Sequence, residues 1–183
     1  MKMAPYFDQQ FIKRGFYNLG FFEIGMVYFV SKKKTPSLNS LQGIKIWSWE
    51  GDPLVASLIS TMKLVSVPLA LPDVLSSLST GIVEAAYAPP LAILALQWNN
   101  KIKYLLDFPL AYSTGAFLID GKKWKKVKEE DQRLVQKISR KFFSKINQDN
   151  AKENSDALIA LKGAGIEFLN FSESDQKVSS DLR

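Results

Sequence analysis

Few side chains in this sequence can carry acid–base, nucleophilic or metal chemistry. The 183 residues include no His and no Cys. Without His, the usual general base near neutral pH and the commonest metal ligand are missing. Without Cys, a thiolate nucleophile, an iron–sulfur site and a disulfide framework are excluded. Ser-His-Asp hydrolysis and HExxH metalloprotease chemistry are therefore ruled out.

The carboxylates do not replace these groups. Glu84 lies in an apolar run and allows two interpretations: a buried carboxyl with a raised pKa, or a carboxylate at a strand rim that accepts from backbone N–H groups. We favour the second. Asp107 and Asp120 have the character of turn residues. The sequence has no nucleotide-binding glycine motif and no acidic cluster with metal-ligand spacing. We expect neither an enzyme nor a bound cofactor or metal.

The excess positive charge is concentrated in one stretch. The net charge is +6, and residues 121–145 hold ten basic and three acidic side chains. Such a patch can bind nucleic acid or anionic lipid. We favour a solvated helix face, because the stretch has no finger motif and no Gly-rich loop. We expect no nucleic-acid partner.

The elements that would position a site alternate along the chain. Runs of β-branched and aromatic residues predict strands at 16–19, 26–31, 44–49, 65–68, 82–87, 103–107, 116–119 and 166–168. Apolar spacing and Pro or Gly boundaries predict helices at 3–14, 53–62, 72–79, 91–98, 122–126 and 129–161. Residues 172–183 are polar, and we expect them to fray. This order predicts an α/β protein.

The longest predicted helix, 129–161, has two different parts. Its apolar residues recur at spacings of three and four: Leu134, Val135, Ile138, Phe142, Ile146 and Leu158. The middle stretch, 147–156, lacks an apolar stripe, so it cannot be packed on all sides. We expect this helix to span two lobes.

Nothing in the sequence indicates a membrane-spanning segment. No run of 18 apolar residues free of charge occurs, and the first ten residues lack the apolar stretch of a signal peptide. The composition, 46% apolar with 12% aromatic residues, is that of a folded protein with a core.

A series of short motifs runs along the chain. They are LQGIKIW (41–47), VPLALPDV (67–74), LSSLSTGIVEAAYAPP (75–90), FLI (117–119), Trp124, EEDQ (129–132) and KGAGI (162–166). In this order they resemble "LKGLKIR", "VPMPFSEVY", "YTALQTGVVDGQENPP", "FLIS", "FW", "LSPEDQ" and "LKEAGV" of the solute-binding subunits of tripartite ATP-independent periplasmic (TRAP) transporters. The resemblance extends over about residues 15–170.

The resemblance implies a type II periplasmic-binding-protein-like fold. Such a fold has two α/β lobes, a long helix near the C-terminus that braces both, and a ligand between them. The closed, loaded protein would meet the TRAP membrane subunits in the periplasm. Family chains are longer, so we expect an incomplete first lobe: residues 1–25 and 113–150 would be its remnant, and 26–112 with 151–183 would form lobe II. The chain would be either a truncated product or a split half, for which a second copy or a partner chain would supply the missing part.

The ligand positions of the family carry different residues in this sequence. The Arg that ends "LKGLKIR" falls at Trp47, a second Arg at Val27, a pocket Phe at Leu71 and the Asn of "DGQENP" at Ala88. A guanidinium binds a carboxylate through two parallel hydrogen bonds, and a desolvated carboxylate without that partner is costly. We therefore predict an uncharged or largely apolar ligand. Its wall would be lined by Trp47, Trp49, Leu71 and Tyr87, with Val27 and Ala88 leaving room.

Other interpretations stay open for these residues. Trp47 and Trp49 are two apart on one strand and suit core or interface contacts equally well. Tyr87 could cap its strand through the hydroxyl, Leu71 could be core, and Trp124 is most simply a core anchor. A second hypothesis for the whole chain is a degenerate binding fold that acts as a protein–protein interaction or structural module.

Overall fold

The computed structural model describes residues 3–181 and alternates helices with strands. The strands are β1 (Phe16–Ser31), β2 (Lys45–Ser48), β3 (Val65–Pro68), β4 (Ala85–Ala88), β5 (Tyr104–Leu106), β6 (Ala111–Asp120) and β7 (Glu167–Leu169). The α-helices are α1 (Ala4–Lys13), α2 (Leu38–Leu41), α3 (Pro53–Thr61), α4 (Val74–Thr80), α5 (Pro90–Ala95), α6 (Gly121–Trp124), α7 (Glu129–Gly163) and α8 (Glu173–Asp181). Short 3₁₀ turns occupy Leu71–Asp73 and Trp98–Asn100. The α/β class predicted from the sequence is confirmed.

The described chain divides into two units. Unit 1 holds residues 3–25 and 113–153, and unit 2 holds residues 26–112 and 154–181. Strand β1 and helix α7 each contribute residues to both units. The long helix predicted from the sequence is therefore present and runs from one unit into the other.

Unit 2 is built on a mixed sheet with the strand order β3-β2-β4-β1-β5-β7. The pairs β2–β3, β2–β4 and β5–β7 are parallel, whereas β1 runs antiparallel to β4 and β5. Parallel pairs need crossover connections, and α3 and α4 supply them on either side of β3. The parallel strands β2 and β3 therefore end at the same edge of the sheet.

Alternating side chains of the unit 2 strands enter two separate cores. Tyr28, Val30, Trp47, Ala86 and Leu105 belong to one apolar cluster. Their chain neighbours Phe29, Ile46, Ala85 and Leu106 belong to the other. Because both faces of the sheet are covered, these strands read as continuous apolar runs rather than as alternating ones. Unit 2 therefore buries its sheet on both sides.

Unit 1 pairs the first part of β1 with β6 and places α7 alongside them. The Phe143 ring of α7 stacks on Phe22 at 6.2 Å between centroids and contacts Phe117 at 6.0 Å. Asn147 accepts a hydrogen bond from the Glu23 backbone N–H at 2.8 Å. The helix is thus held to the ribbon by ring contacts and by amide side chains.

A glycine makes the contact between α7 and the ribbon possible. A Cβ placed on Gly20 would lie 2.2 Å from the Phe143 ring, closer than any side chain tolerates. The sequence predicts two strands, at 16–19 and 26–31, and this prediction is wrong. The structure has one continuous strand, because β1 pairs with β6 in unit 1 and with β4 and β5 in unit 2.

Other sequence-based boundaries also differ from the structure. The strand predicted at 116–119 extends to Ala111–Asp120 through its pairing with β1. The helix predicted at 91–98 ends at Ala95, and Gln97 adopts a left-handed conformation with φ 58°. The tail expected to fray forms α8 instead, and Ser172 caps it by accepting from the Asp175 N–H at 3.2 Å. The last two residues of that tail lie outside the described residues.

Substituting Gly20 tests the contact between α7 and the ribbon. In Gly20→Ala the new methyl must displace the Phe143 ring, so we expect a loss of about 1–3 kcal/mol in unfolding free energy. The control is Gly163→Ala at the other end of α7, where a Cβ meets nothing within 4 Å. Urea denaturation of both variants checks this, and equal midpoints would contradict the proposed close approach.

Candidate functional site

An open concavity of about 450 Å³ lies at the carboxyl ends of β2 and β3. Its lining includes Ser48 and Trp49 after β2, Ser66 and Pro68 of β3, and the acidic residues that precede α3. In open α/β sheets, ligands bind outside the carboxyl ends of the parallel strands. This edge of unit 2 is therefore the first place to look for a binding site.

An aromatic cluster lies next to this concavity. The Trp47 ring stacks on Tyr87 with centroids 5.0 Å apart and meets Trp98 edge to face at 5.5 Å. The Trp47 side chain is only 3% exposed, and its Nε1–H donates to the Leu69 carbonyl at 2.9 Å. Both the ring and the N–H of Trp47 are thus satisfied, which fixes the indole in one orientation.

Trp49 extends the cluster towards solvent. Its indole lies edge to face on Trp47 at 5.8 Å and is 53% exposed. The Trp49 backbone N–H donates to the Tyr87 hydroxyl at 3.1 Å. The concavity and the aromatic cluster meet at Trp49, so this ring offers an accessible aromatic face on a rigid support.

The charges around the concavity are negative. Glu50 and Asp52 line it, and Asp52 also caps α3 by accepting from the N–H groups of Leu54 at 2.9 Å and Val55 at 3.2 Å. Burial raises the pKa of the Tyr87 hydroxyl; the hydrogen bond from the Trp49 N–H opposes this shift, and the charge of Asp52 adds a smaller increase. Within residues 3–181 the arginines are Arg14, Arg133 and Arg140, and all three belong to unit 1. The described part of unit 2 offers no guanidinium to a carboxylate.

The structure brings five of the six predicted ligand residues into one neighbourhood. Trp47, Trp49 and Tyr87 touch directly, and Leu71 and Ala88 lie in or against the apolar cluster that contains Trp47. Val27 is half-buried on β1, where its carbonyl accepts from the Leu110 N–H at 2.8 Å. Val27 belongs neither to that cluster nor to the lining of the concavity.

Sequence reasoning missed three parts of the site. Trp98 packs edge to face against Trp47. The sequence signal that could have indicated this contact was a lone Trp at the end of an apolar helix. Glu50 and Asp52 give the concavity its charge, but the Gly-Asp-Pro turn indicated only the start of α3. These acids follow β2 directly, so their position at the strand end was readable once β2 was placed.

Glu84 is a rim carboxylate, as favoured above, and the alternative of a raised pKa is wrong. One carboxylate oxygen lies 2.6 Å from Lys33 Nζ, and the other accepts from the Lys45 N–H at 3.3 Å. Hydrogen bonding to Lys33, opposed in part by burial, lowers the pKa of the Glu84 carboxyl. The group joins β2 to the start of β4 and is not a proton donor.

The lowered pKa of Glu84 predicts a pH-dependent stability. Its contribution is fully present above the unfolded carboxyl pKa of about 4.3 and is lost as the pH falls through the lower folded value. The unfolding free energy of Glu84→Gln should therefore fall below wild type at pH 7, and the difference should shrink as the pH falls below the unfolded carboxyl pKa. The unfolding free energy of Lys33→Gln should depend on pH in the same way, because Lys33 is the partner of Glu84. A difference that stays constant between pH 3 and 7 would contradict this assignment.

The described structure also bears on metal sites and on membrane-spanning helices. Within residues 3–181, no three acidic side chains come close enough together to hold a metal ion. None of the helices in the same residues is both long and apolar enough to cross a bilayer.

Comparison with known proteins identifies the family. The model of family 7 of the bacterial extracellular solute-binding proteins (DctP) matches residues 2–181. No curated protein sequence matches the chain significantly. Solved structures do match, at identities that show the fold alone. One is a TRAP periplasmic solute-binding protein from Haemophilus influenzae RdAW with bound L-gulonate, at 20% identity and a TM-score of 0.92, over 100% of this chain and 60% of that chain.

Two further structures give the same result. The sugar acid binding protein DctPAm from Advenella mimigardefordensis, in complex with galactonate, has 16% identity and a TM-score of 0.91 over 98% of this chain and 58% of its own. A TRAP periplasmic solute-binding protein from Desulfovibrio salexigens with bound orotic acid has 17% identity and a TM-score of 0.90, over 99% of this chain and 58% of that chain. The chain thus spans less than two thirds of each of these proteins.

These matches confirm the resemblance to TRAP solute-binding proteins and the type II periplasmic-binding fold with an incomplete lobe. They also agree with the expectation of a protein that is not an enzyme, since the family and its neighbours are solute-binding proteins for transport. The chain belongs to family 7 of the bacterial extracellular solute-binding proteins, the DctP family.

Proposed function

We propose that this chain is the solute-binding component of a TRAP transport system. It would bind a small molecule in the periplasm and present it to the TRAP membrane subunits. Family membership over residues 2–181 supports this role. The edge of unit 2 formed by the ends of β2 and β3 would be the part of the site that this chain contributes.

The lobe assignment predicted from the sequence belongs to the same proposal. Residues 1–25 and 113–150 would be the remnant of lobe I, and residues 26–112 and 151–183 would form lobe II. The division of the described chain at residues 25, 112 and 153 supports it. On this assignment the concavity, Trp49 and Tyr87 all lie on lobe II.

The ligand in this proposal is uncharged and largely apolar. Trp47 carries the argument, because it stands where the resemblance places the carboxylate-binding Arg and its N–H is already bound by Leu69. Glu50 and Asp52 add negative charge to the concavity next to Trp49. A carboxylate there would be repelled by these like charges and would gain no cation from the lining of the concavity. Neighbouring structures hold L-gulonate, galactonate and orotic acid, so this chain would differ from them in ligand charge.

Pairs of related ligands with and without a free carboxylate test this difference. Uracil is the uncharged counterpart of orotate, and L-gulonolactone is that of L-gulonate. We expect each uncharged member to bind with a dissociation constant at least about tenfold lower than its carboxylate partner, a gain of about 1.4 kcal/mol. Isothermal titration calorimetry on the 183-residue chain measures both. A tighter carboxylate in either pair would contradict the proposal.

The exposed ring of Trp49 gives a second test at the residue level. Trp49→Ala removes the accessible aromatic face, while Trp47 keeps its stacking on Tyr87 and its hydrogen bond to Leu69, so affinity for the uncharged ligands should fall about five- to tenfold. The matched control is Leu54→Ala on α3, where the side chain is also exposed. Unchanged affinity in Trp49→Ala, or an equal loss in Leu54→Ala, would remove Trp49 from the site.

The second hypothesis, a degenerate fold that acts as a protein–protein interaction module, has one observation in its favour. Large apolar side chains of unit 1, among them Phe117 and Phe142, are exposed. If that hypothesis were correct, neither ligand pair would bind, and Trp49→Ala would instead weaken association with a polypeptide.

A further inference from the structure

Unit 1 has a concavity of its own, with a volume of about 500 Å³. It lies where the end of α1 and the start of β1 meet the end of β6 and helix α6. All its lining residues belong to unit 1, and it shares none of them with the concavity at the ends of β2 and β3. Small-molecule sites have volumes of about 300–1,000 Å³. The proposed solute-binding role leaves this space without a function.

Two glycines hold the sides of this concavity together. Gly15 follows α1 with φ 83°, a left-handed conformation that a side chain would strain. The Gly121 N–H donates to the Gly15 carbonyl at 2.7 Å, and a Cβ on Gly121 would lie 2.8 Å from that oxygen. A larger residue at Gly121 would push the two turns apart. The backbone therefore fixes the distance between them.

Trp124 and Tyr17 form an apolar wall of the concavity. Their rings stack with centroids 5.0 Å apart, and Trp124 is only 5% exposed. The Tyr17 hydroxyl accepts a hydrogen bond from Gln136 Nε2 at 2.7 Å, and the Trp124 carbonyl accepts one from Gln132 Nε2 at 2.9 Å. Both amides come from α7. The wall is therefore fixed to the long helix and keeps its shape without a ligand.

The charged side chains of the lining are mainly basic. Arg14, Lys122 and Lys125 are exposed, and none of them forms an ion pair within the described part of the chain. The one acidic lining residue, Asp120, accepts from the Lys123 N–H at 2.9 Å and so caps α6. Three cations against one carboxylate leave the lining a net charge of +2. This charge is opposite to that of the concavity in unit 2.

The net charge of the lining favours one class of anion. A phosphate monoester carries a charge of about −1.5 to −2 near neutral pH and has three acceptor oxygens, whereas a carboxylate carries a single charge. The guanidinium of Arg14 can bind two phosphate oxygens in parallel, and the lysines add compact positive charges. The volume leaves room beside a phosphate for an apolar body against the wall formed by Trp124 and Tyr17.

We propose that this concavity binds a phosphate monoester, with Arg14, Lys122 and Lys125 as the anion-binding side chains. A free organic phosphate and the headgroup of phosphatidic acid share this chemistry. The site goes beyond the proposed solute-binding role, because it lies in the other unit and takes a ligand of different charge. Its test therefore stands or fails independently of the uncharged ligand.

Phenyl phosphate serves as the free probe, with benzoate as its monoanionic counterpart and benzyl alcohol as its neutral one. In a phosphate-free buffer, phenyl phosphate added to the 183-residue chain should shift the Trp124 indole N–H signal in a saturable manner, because this ring lines the concavity. We expect it to bind at least about tenfold more tightly than benzoate, and benzyl alcohol to leave the signal unchanged. An unmoved Trp124 signal, or benzoate binding as tightly, would overturn the proposal.

Charge-neutralising substitutions locate the binding. Arg14→Gln and Lys125→Gln each remove a cation from the lining and should weaken phenyl phosphate binding about five- to tenfold. Lys123→Gln is the matched control, because it removes the same charge from α6 at a residue outside the lining, and it should change the affinity less than about twofold. All three residues are exposed, so no buried contact is lost. Equal losses in all three variants would show a diffuse basic surface and overturn the proposal.

Vesicles distinguish the two sources of the phosphate group. Phosphatidylcholine vesicles with phosphatidic acid present a monoester, and those with the same fraction of phosphatidylglycerol present a monoanionic diester. Binding to the phosphatidic acid vesicles alone, weakened in Arg14→Gln but not in Lys123→Gln, would support the site and identify a lipid headgroup. A Trp124 response to phenyl phosphate without vesicle binding would support it with a free organic phosphate as the ligand. Equal binding to both kinds of vesicle with no Trp124 response to phenyl phosphate would overturn it.

Discussion

The stacking of Trp47 on Tyr87 is the contact on which the candidate site depends. It joins the ends of β2 and β4, and the hydrogen bond from Trp47 Nε1 to Leu69 ties in the chain that follows β3. The Trp47 side chain thus connects the ends of β2, β3 and β4, and its contacts fix its orientation. Trp49 and the acidic residues after β2 are positioned by this contact. Those acidic residues, Glu50 and Asp52, give the concavity its negative charge.

The two units differ in what keeps them folded. Unit 2 places alternate strand residues in two cores and buries its sheet on both faces. Unit 1 relies on the ring contacts of Phe143 and on the amides of α7, while Leu134, Ile138 and Phe142 of the same helix are exposed. The proposed ligand site is therefore built on the unit whose sheet is buried on both faces.

Much of this architecture could be read from the sequence, and the failures have physical reasons. β2, α3, β3 and α7 were predicted within a few residues, because Pro and Gly mark their ends and their apolar patterns are strong. β1 was predicted as two strands, whereas in the structure one strand continues from its pairing with β6 into its pairing with β4 and β5, and such long-range pairing cannot be read from a local pattern. Periodicity located the apolar residues of α7 but carries no information on whether a partner covers them. The placement of the six ligand residues came from a family resemblance, and their role in binding stays a proposal.

The indole N–H resonances of the four tryptophans test the central claim most directly. In a ¹⁵N–¹H correlation spectrum of the 183-residue chain, Trp124 of unit 1 serves as an internal reference beside Trp47, Trp49 and Trp98 of unit 2. Addition of uracil should shift the Trp49 signal in a saturable manner and leave Trp124 unchanged, whereas orotate at equal concentration should move neither. A Trp49 shift that saturates at a lower concentration of orotate than of uracil would contradict the account of an uncharged ligand.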